Sequence, residues 1–267
     1  MKGSAAAVVA LAALDVRRRP DHRSEMRSQL LMGETVQVLE RTPNWWRVRN
    51  RADRYEGWLR TWGIVPCSRA RAERWLARAR ARVAVLYAEV RTEPGAGALV
   101  SPLFWNARVI AGRARGTHRP VELPDGRRGW VAADSLDGVV ASERPELAER
   151  IRQLLGVPYL WGGRTPMGFD CSALVQQVLG EQGIALPRDA DQQFHATRPI
   201  PAGSAVLLGD LYFFGGRRGP MAHVAVALGR GLYAHARGRV RINSDDPSNA
   251  MYDKVLQDQL RAIHRPA

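Results

Sequence analysis

Short apolar runs separated by turn residues constrain the first half of this sequence most strongly. Between residues 8 and 65 the runs VVALAAL, GETVQVLE, WWRVR and YEGWLR alternate with turn segments such as RRRPDH and RTPN. Short apolar runs bounded by Pro, Gly, Asn and Asp are typical of β-strands and tight turns. Residues 82–136 repeat the scheme, and each stretch ends in a Gly-Trp strand, YEGWLR or RRGWVAA. We therefore predict two related small all-β barrels, at residues 1–66 and 81–138.

A different pattern separates the two barrels and follows the second one. Residues 67–80, rich in Ala and Arg, predict a helical tether. After residue 142 the run PELAERIRQLL predicts a helix with favourable acidic residues near its start, and SALVQQVLGEQG predicts a second helix that Gly183 can end. LYFF, HVAVALG and GLYAHA predict strands, and YDKVLQDQLRAI predicts a terminal helix or loop. We expect an α+β domain at residues 143–267.

The charge of the chain is large and positive but is not organised as a nucleic-acid site. The net charge is +14 over 267 residues, and all but Lys2 and Lys254 of the 40 basic residues are arginine. Such a charge attracts polyanions of any kind. The arginines are scattered, and neither zinc-finger spacing nor a basic helix with heptads accompanies them. We therefore expect solvated arginines and no nucleic-acid partner.

The two cysteines and the N-terminus bear on the compartment. Cys67 and Cys171 lack CxxC partners, which argues against a zinc cluster or a disulfide framework and favours a reducing, cytoplasmic compartment. The apolar run at residues 5–14 follows Lys2 and contains Ala-x-Ala at 10–12, so export through a cleaved signal peptide is the alternative. Cleavage after Ala12 would remove most of a predicted strand at 8–16, so we expect residues 1–12 to be retained. No other apolar stretch approaches the roughly 20 residues of a membrane span.

Cys171 is the first candidate for chemistry. It lies between Asp170 and Ser172 at the start of a predicted apolar helix. The N-terminus of a helix offers free N–H groups and partial positive charge, which stabilise a thiolate and lower the thiol pKa. The alternative is a small buried apolar side chain, which is the commoner role of a lone cysteine.

Two histidines favour the catalytic interpretation. His223 opens the predicted strand HVAVALG, and His235 closes the next one, GLYAHA. A hairpin of these strands would bring the two imidazoles together, so that one acts as base toward Cys171 while the other orients it. Without the cysteine, two polar residues at strand ends would be the simpler interpretation.

A run of motifs resembles the NlpC family of papain-like cell-wall cysteine peptidases. It comprises VPYLWGGRTPMGFDCSALVQQVLGEQGIALPRDADQQ, then GDLYFF, MAHVAVALG and YAHA, in that order, from about residue 145 to the C-terminus. The N-terminal half is similar, more weakly, to the bacterial SH3-like modules of the subgroup that cleaves free murein peptides, mainly through SEMRSQLLMGE and DRYEGWLR. Ala173 and Leu208 depart from the usual Gly and Pro of the family, and we expect this to affect packing only.

The resemblance implies roles for particular residues. Cys171 would attack a γ-D-glutamyl amide carbonyl, His223 would transfer the proton, His235 would orient His223, and Tyr159 with the Cys171 N–H would bind the oxyanion. Glu25, Tyr55, Asp170 and Ser172 match positions that hold the free amine of the substrate's first residue, whereas Arg188 stays open between substrate binding and a structural carboxylate pair.

The implied activity is that of a γ-D-glutamyl-L-diamino-acid endopeptidase acting on murein peptides with a free N-terminal L-Ala, with no metal or cofactor. The same catalytic residues acting on intact peptidoglycan, with the barrels as wall-binding modules, are the alternative.

Overall fold

The fold is described from a computed structural model, which covers residues 5–137, 146–201, 203–216 and 218–266. Contacts within the chain divide it into two compact units, Met1–Glu143 and Arg144–Ala267. The first unit contains both regions predicted to be all-β, and the second contains the predicted α+β domain.

A seven-stranded antiparallel sheet begins the first unit, in the order β3-β2-β6-β5-β4-β1-β7. Its strands are β1 (Ala6–Val9), β2 (Ala13–Arg17), β3 (Met26–Leu31), β4 (Thr35–Arg41), β5 (Trp45–Asn50), β6 (Glu56–Arg60) and β7 (Ile64–Cys67), with a 3₁₀ turn at Thr61–Gly63. The apolar run at 8–16, expected to be one strand, is divided between β1 and β2. All four residues of β1 are buried between β4 and β7, so this segment is an integral part of the sheet.

The segment predicted to be a helical tether is a helix that packs on the first sheet. α1 (Arg69–Arg78) begins after Ser68, whose side chain accepts a hydrogen bond from the N–H of Arg71. Ala72 and Trp75 of α1 are buried with residues of β1, and Trp75 Nε1 donates to the carbonyl of Gly33 at 3.0 Å. The amphipathic Ala/Arg pattern thus gives the helix an apolar face that covers the first sheet.

A six-stranded antiparallel sheet completes the first unit, in the order β10-β9-β13-β12-β11-β8. Its strands are β8 (Ala81–Arg82), β9 (Tyr87–Glu93), β10 (Ala96–Phe104), β11 (Arg108–Ala111), β12 (His118–Glu122) and β13 (Arg128–Ala132), with a 3₁₀ turn at Ala133–Ser135. Met32 belongs to the core of this sheet, and its carbonyl accepts a hydrogen bond from the N–H of Arg108 at 2.9 Å. The two sheets are therefore connected within one unit.

The second unit combines helices with a six-stranded antiparallel sheet in the order β16-β21-β17-β18-β19-β20. Its elements are α2 (Leu147–Leu154), β14 (Arg164–Thr165), β15 (Gly168–Phe169), α3 (Cys171–Glu181), α4 (Ala190–Ala196), β16 (Arg198–Pro199), β17 (Leu211–Phe214), β18 (His223–Gly229), β19 (Leu232–Arg237), β20 (Arg239–Ser244), α5 (Lys254–Gln257) and β21 (Leu260–Arg265). The mixture of helices and antiparallel strands agrees with the predicted α+β class. The predicted C-terminal helix or loop is a single helical turn followed by β21, which pairs with β17 inside the sheet.

Helix α3 forms the centre of the second unit. Ten of its 11 residues are buried, and it packs against β18 and β19. Arg150 of α2 donates to both carboxylate oxygens of Glu181 at 2.8 and 2.6 Å, which joins α2 to the C-terminal end of α3. In the part of the chain that the structure describes, no helix combines the length and apolar character that a bilayer crossing requires.

Candidate active site

Cys171 is the first residue of α3. The helix begins here because Asp170 has an extended backbone and its Oδ1 accepts the N–H of Ala173 at 2.8 Å, as an N-cap residue does. The side chain of Cys171 is buried at 7% exposure, and the N–H groups of Val224 and Ser172 lie within hydrogen-bonding reach of its sulfur. Val224 directly follows His223, so the thiol lies beside the start of β18.

The acidity of this thiol differs from the expectation based on helix position alone. Burial raises the pKa of Cys171 to about 12, and the negative charge of Asp170 acts in the same direction. The two backbone N–H groups and Arg188 act in the opposite direction and are outweighed. The resting side chain at neutral pH is therefore a thiol, because the cost of desolvating a thiolate exceeds the stabilisation by the helix N-terminus.

A hydrogen-bonded relay leads away from His223. Strands β18 and β19 form the expected antiparallel pair, and His223 Nε2 lies 2.8 Å from His235 Nδ1. His235 Nε2 lies 2.9 Å from Oδ1 of Asn243 on β20, and Asn243 Nδ2 donates to the carbonyl of Met251 at 2.6 Å. His235 is fully buried and Asn243 is 8% exposed.

The relay determines which imidazole nitrogens carry protons. Since Asn243 Nδ2 donates to a carbonyl, the Oδ1 of Asn243 faces His235 and must accept from His235 Nε2–H. The lone pair of His235 Nδ1 then accepts from His223 Nε2–H. His223 Nδ1 is left with a lone pair, so it is the nitrogen that can take a proton. Arg241 Nε, at 3.4 Å from His235 Nε2, is a longer and weaker contact that does not alter this assignment.

Both imidazoles are neutral in this environment. Burial lowers the pKa of His223 to about 3, with the coulombic effects of His235, Arg237 and Arg241 in the same direction. Burial also lowers the pKa of His235 to about 4, although its hydrogen bond to Asn243 opposes the shift. A neutral imidazole at His223, whose neighbour Val224 contacts the Cys171 sulfur through its N–H, is suited to general-base catalysis, in which the proton moves as the sulfur attacks.

Tyr159 lies in the electrostatic neighbourhood of the thiol. Its backbone forms a bridge with Phe169, two residues before Cys171, and its side chain is half-buried. Burial raises the pKa of Tyr159 to about 12, and the charges of Cys171 and Asp170 add to the increase. The hydroxyl therefore keeps its proton at neutral pH and is available as a hydrogen-bond donor.

Asp170, Ser172 and Arg188 form a buried network at the same helix end. Arg188 donates to both oxygens of Asp170 at 3.1 and 2.6 Å and to Ser172 Oγ at 2.9 Å. Asp170 also accepts from Ser172 Oγ at 3.2 Å and from the N–H of Gly162 at 3.0 Å. With the cap to Ala173, five donors converge on one carboxylate, which has about four lone-pair positions. For Arg188, this geometry favours a structural ion pair with Asp170 over substrate binding. Substrate binding by Asp170 and Ser172 stays a prediction.

The other two predicted substrate-binding residues belong to the first unit. Glu25 is exposed just before β3, and its carboxylate lies 3.8 Å from Arg18. Tyr55 is 9% exposed in the core of the first sheet, with the guanidinium of Arg27 5.5 Å from its ring centre. Their assignment to substrate binding also stays a prediction.

Asn243 is a site residue that sequence reasoning missed. It lies on β20 within RVRINS, and a single asparagine in such a strand carries no chemical signal. Only the pairing of β19 with β20, with Tyr233 opposite Asn243, brings the amide near His235. A search for a polar residue on the strand after the second histidine would have found it.

Comparisons with known proteins match both units. Residues 156–261 match the NlpC/P60 family, and residues 16–63 match the bacterial dipeptidyl-peptidase Sh3 domain. A relative from Lysinibacillus sphaericus named dipeptidyl-peptidase 6 is 27% identical over 91% of this chain and 93% of its own length. A Bacillus subtilis protein named gamma-D-glutamyl-L-lysine dipeptidyl-peptidase is 38% identical over 38% of this chain and 36% of its own length.

Solved structures show the same fold. A crystal structure of a NlpC/P60 family protein from Bacillus cereus covers 98% of this chain and 99% of its own chain, with a TM-score of 0.80 and 18% identity. A NlpC/P60 endopeptidase from Photobacterium damselae covers 97% of this chain and 70% of its own, with a TM-score of 0.70 and 14% identity. The resemblance inferred from the motifs is confirmed, as is the fold class: residues 16–63 carry a bacterial dipeptidyl-peptidase SH3 domain, residues 156–261 carry a NlpC/P60 domain, and the chain is a cysteine peptidase.

Proposed function

We propose that this cysteine peptidase hydrolyses the γ-D-glutamyl bond to a diamino acid in murein peptides that have a free N-terminal L-Ala, as a step in the recycling of cell-wall peptides. The observation that carries the proposal is the buried relay from Asn243 through His235 to His223, which leaves a lone pair on His223 Nδ1 beside the strand that contacts the Cys171 sulfur. The similarity to a dipeptidyl-peptidase across nearly the whole of both chains supports the substrate class.

The proposed first half-reaction is acylation of the sulfur. His223 Nδ1 takes the thiol proton as Cys171 Sγ bonds to the γ-carbonyl carbon of the D-Glu residue. The tetrahedral oxyanion accepts hydrogen bonds from the N–H of Cys171 and from the hydroxyl of Tyr159. His223 then gives its proton to the amine of the diamino acid as the C–N bond breaks, which leaves a thioester.

The proposed second half-reaction is hydrolysis. Water loses a proton to His223 Nδ1 while its oxygen bonds to the thioester carbon, and collapse of the second tetrahedral species returns the proton to the sulfur. In both halves His235 and Asn243 hold the same imidazole nitrogen toward the reacting atoms, because their hydrogen bonds fix the tautomer of His223.

The experiment compares three substrates in parallel by mass spectrometry of the products. We expect release of diamino acid from L-Ala-γ-D-Glu-diaminopimelate, and at least ten-fold slower release when the L-Ala amine is acetylated. Cleavage of whole sacculi at a rate equal to that of the free tripeptide would contradict the proposal and favour hydrolysis of intact wall.

Two substitutions test the amine-binding roles that the family resemblance implies. Glu25→Gln removes one negative charge, and Tyr55→Phe removes one hydroxyl. We expect each variant to raise KM for the free-amine peptide and to reduce its advantage over the acetylated peptide, since a carboxylate and a hydroxyl are suitable partners of an ammonium group. Unchanged discrimination in both variants would reject these roles.

A further inference from the structure

A second cleft lies in the first unit, between the turn after β2 and the end of β6. It has a volume of about 160 Å³ and is lined by residues of three strands and two turns, Ala13, Leu14, Asp15, Arg17, His22, Trp45, Arg60 and Trp62. Trp45 forms its buried wall at 7% exposure, and Trp62 is 61% exposed. His22 meets the Trp45 ring edge-on at 5.0 Å between centroids.

Arg60 is the polar centre of this cleft. Its guanidinium carbon lies 5.0 Å from the centre of the Trp45 ring and 6.0 Å from that of Trp62. Stacking engages the faces of a guanidinium and leaves its N–H donors free in the plane of the group. Among the residues described by the structure, Arg60 forms no ion pair, and its Nε is buried without a hydrogen-bond partner.

The remaining charges of the cleft compensate one another. Arg17 donates to Asp15 Oδ2 at 2.6 Å and to the carbonyl of Ser24 at 2.8 Å. The guanidinium of Arg60 is therefore the uncompensated charge. A buried donor of this kind without an acceptor is costly, and a planar guanidinium matches the two oxygens of a carboxylate.

We propose that this cleft binds the carboxylate group of a small ligand, with Arg60 as the bidentate partner and the exposed face of Trp62 packing on the carbon atoms next to the carboxylate. The volume suits a carboxylate with a few attached carbons, so the cleft would hold the end of a peptide or the acid group of a sugar rather than a whole polymer. This proposal does not depend on the proposed function.

The test uses the full chain with Cys171→Ala, ¹⁵N-labelled at its indoles, so that no probe is hydrolysed. The chain has eight tryptophans, and the Trp45 and Trp62 signals are assigned from Trp→Phe variants. The probes are N-acetyl-trialanine as the free acid and as the C-terminal amide, N-acetylmuramic acid, and inorganic phosphate. We expect the free acid to shift both signals in a saturable way and the amide to bind at least ten-fold more weakly.

Variants of the arginine identify the interaction. Arg60→Gln should weaken binding of the free acid at least ten-fold, and Arg60→Lys should weaken it several-fold because an ammonium lacks the planar pair of donors. Arg113→Gln, in an exposed position of the same unit, is the matched control and should change nothing. Retained dispersion of the other indole signals shows that each variant is folded.

Three outcomes would overturn the proposal: equal binding of acid and amide, unchanged binding by Arg60→Gln, or tighter binding of phosphate than of either carboxylate probe. The relative affinities of the N-acetyl-trialanine acid and N-acetylmuramic acid show which of them supplies the carboxylate. The site is supported whichever of the two binds more tightly, provided that Arg60→Gln weakens the binding.

Discussion

At the scale of residues, the proposed catalysis depends on which atoms hold protons. Asn243 is locked by its bond to the Met251 carbonyl, and this orientation passes through His235 to leave a lone pair on His223 Nδ1. Burial keeps both imidazoles neutral and the thiol protonated, since it shifts the pKa of each histidine down and that of Cys171 up. Burial therefore favours an uncharged pair over a thiolate and an imidazolium.

The Asn243 amide should matter for turnover and little for substrate affinity. Loss of one hydrogen bond that orients a base costs about 1.4 kcal/mol, so we expect Asn243→Ala to lower kcat about ten-fold with KM nearly unchanged. Asn243→Asp keeps the acceptor, so it should recover part of kcat and move the acid limb of the pH profile upward, because a carboxylate raises the pKa of His235. If Asn243→Ala lowered the melting temperature but left kcat unchanged, Asn243 would have only a structural role.

The state of the thiol predicts its reaction with alkylating agents. In a Cys67→Ala background, Cys171 is the single cysteine of the chain. With a pKa raised to about 12, its thiolate fraction should rise about ten-fold per pH unit. We expect the rate of iodoacetamide modification to follow this rise between about pH 7 and pH 9. A rate independent of pH over that range would reveal a preformed thiolate.

The acid limb of the pH profile tests the base. His223 acts only when neutral, and its pKa is lowered to about 3, so catalysis should be lost as the pH falls well below the ordinary histidine value of 6.5. We expect the acid limb of kcat/KM below about pH 5. A limb near 6.5 would mean that His223 is hydrated in the working enzyme.

The residues with reactive side chains could be predicted from the sequence. The residues that act by positioning other groups could not. Cys171, His223 and His235 stand out because thiol and imidazole chemistry is uncommon and because the two histidines fall at the ends of adjacent predicted strands. Asn243 and the direction of the Cys171 pKa shift depend on strand pairing and burial, neither of which is visible in residue type. The helix position of Cys171 indicated a lowered pKa, but desolvation proved to be the larger effect.

At the scale of elements, the position of the nucleophile depends on how α3 begins. Asp170 caps the helix and is itself held by Arg188, so the first turn of α3 is tied to the segment that precedes α4. The salt bridge is buried, with 1% and 9% of the two side chains exposed. Removing one partner of such a pair leaves a desolvated charge.

Arg188→Met should therefore destabilise the second unit. We expect a loss of about 3–5 kcal/mol in the free energy of unfolding, measured by hydrogen exchange of residues 171–181. Adding Asp170→Asn should recover part of this loss, because the neutral amide needs no counter-ion. Arg152→Met is the matched control: its pair with Glu149 is exposed, so its loss should cost less than about 1 kcal/mol. Equal effects of the two variants would contradict the proposed support of α3.

Sequence periodicity predicted most of the helices and strands. It failed where contacts with distant parts of the chain determine the local structure. The strands LYFF, HVAVALG and GLYAHA and the helix after Cys171 follow their patterns closely. The sequence pattern of the C-terminal run LRAIHR is equally compatible with a loop. The run forms strand β21 because it pairs with β17. The Ala/Arg segment 69–78 resembles a tether in composition, yet Trp75 and Ala72 anchor it to the first sheet.

At the scale of the whole molecule, the chain consists of two compact units. The second contains the whole set of groups proposed for acyl transfer, and the first contains Glu25, Tyr55 and the cleft around Arg60. The switch between β-type and helical patterns near residue 142 predicts a change of domain there. The packing of both sheets into one unit could not be predicted, because it depends on contacts such as that of Met32 with Arg108.

We propose Cys171 as the nucleophile of this peptidase. The most direct measurement is the rate of diamino-acid release from L-Ala-γ-D-Glu-diaminopimelate by the wild-type chain, by Cys171→Ala and by Cys67→Ala, the second cysteine serving as the matched control. We predict that Cys171→Ala abolishes release, while Cys67→Ala retains it. Release by Cys171→Ala at the wild-type rate would contradict this role of Cys171.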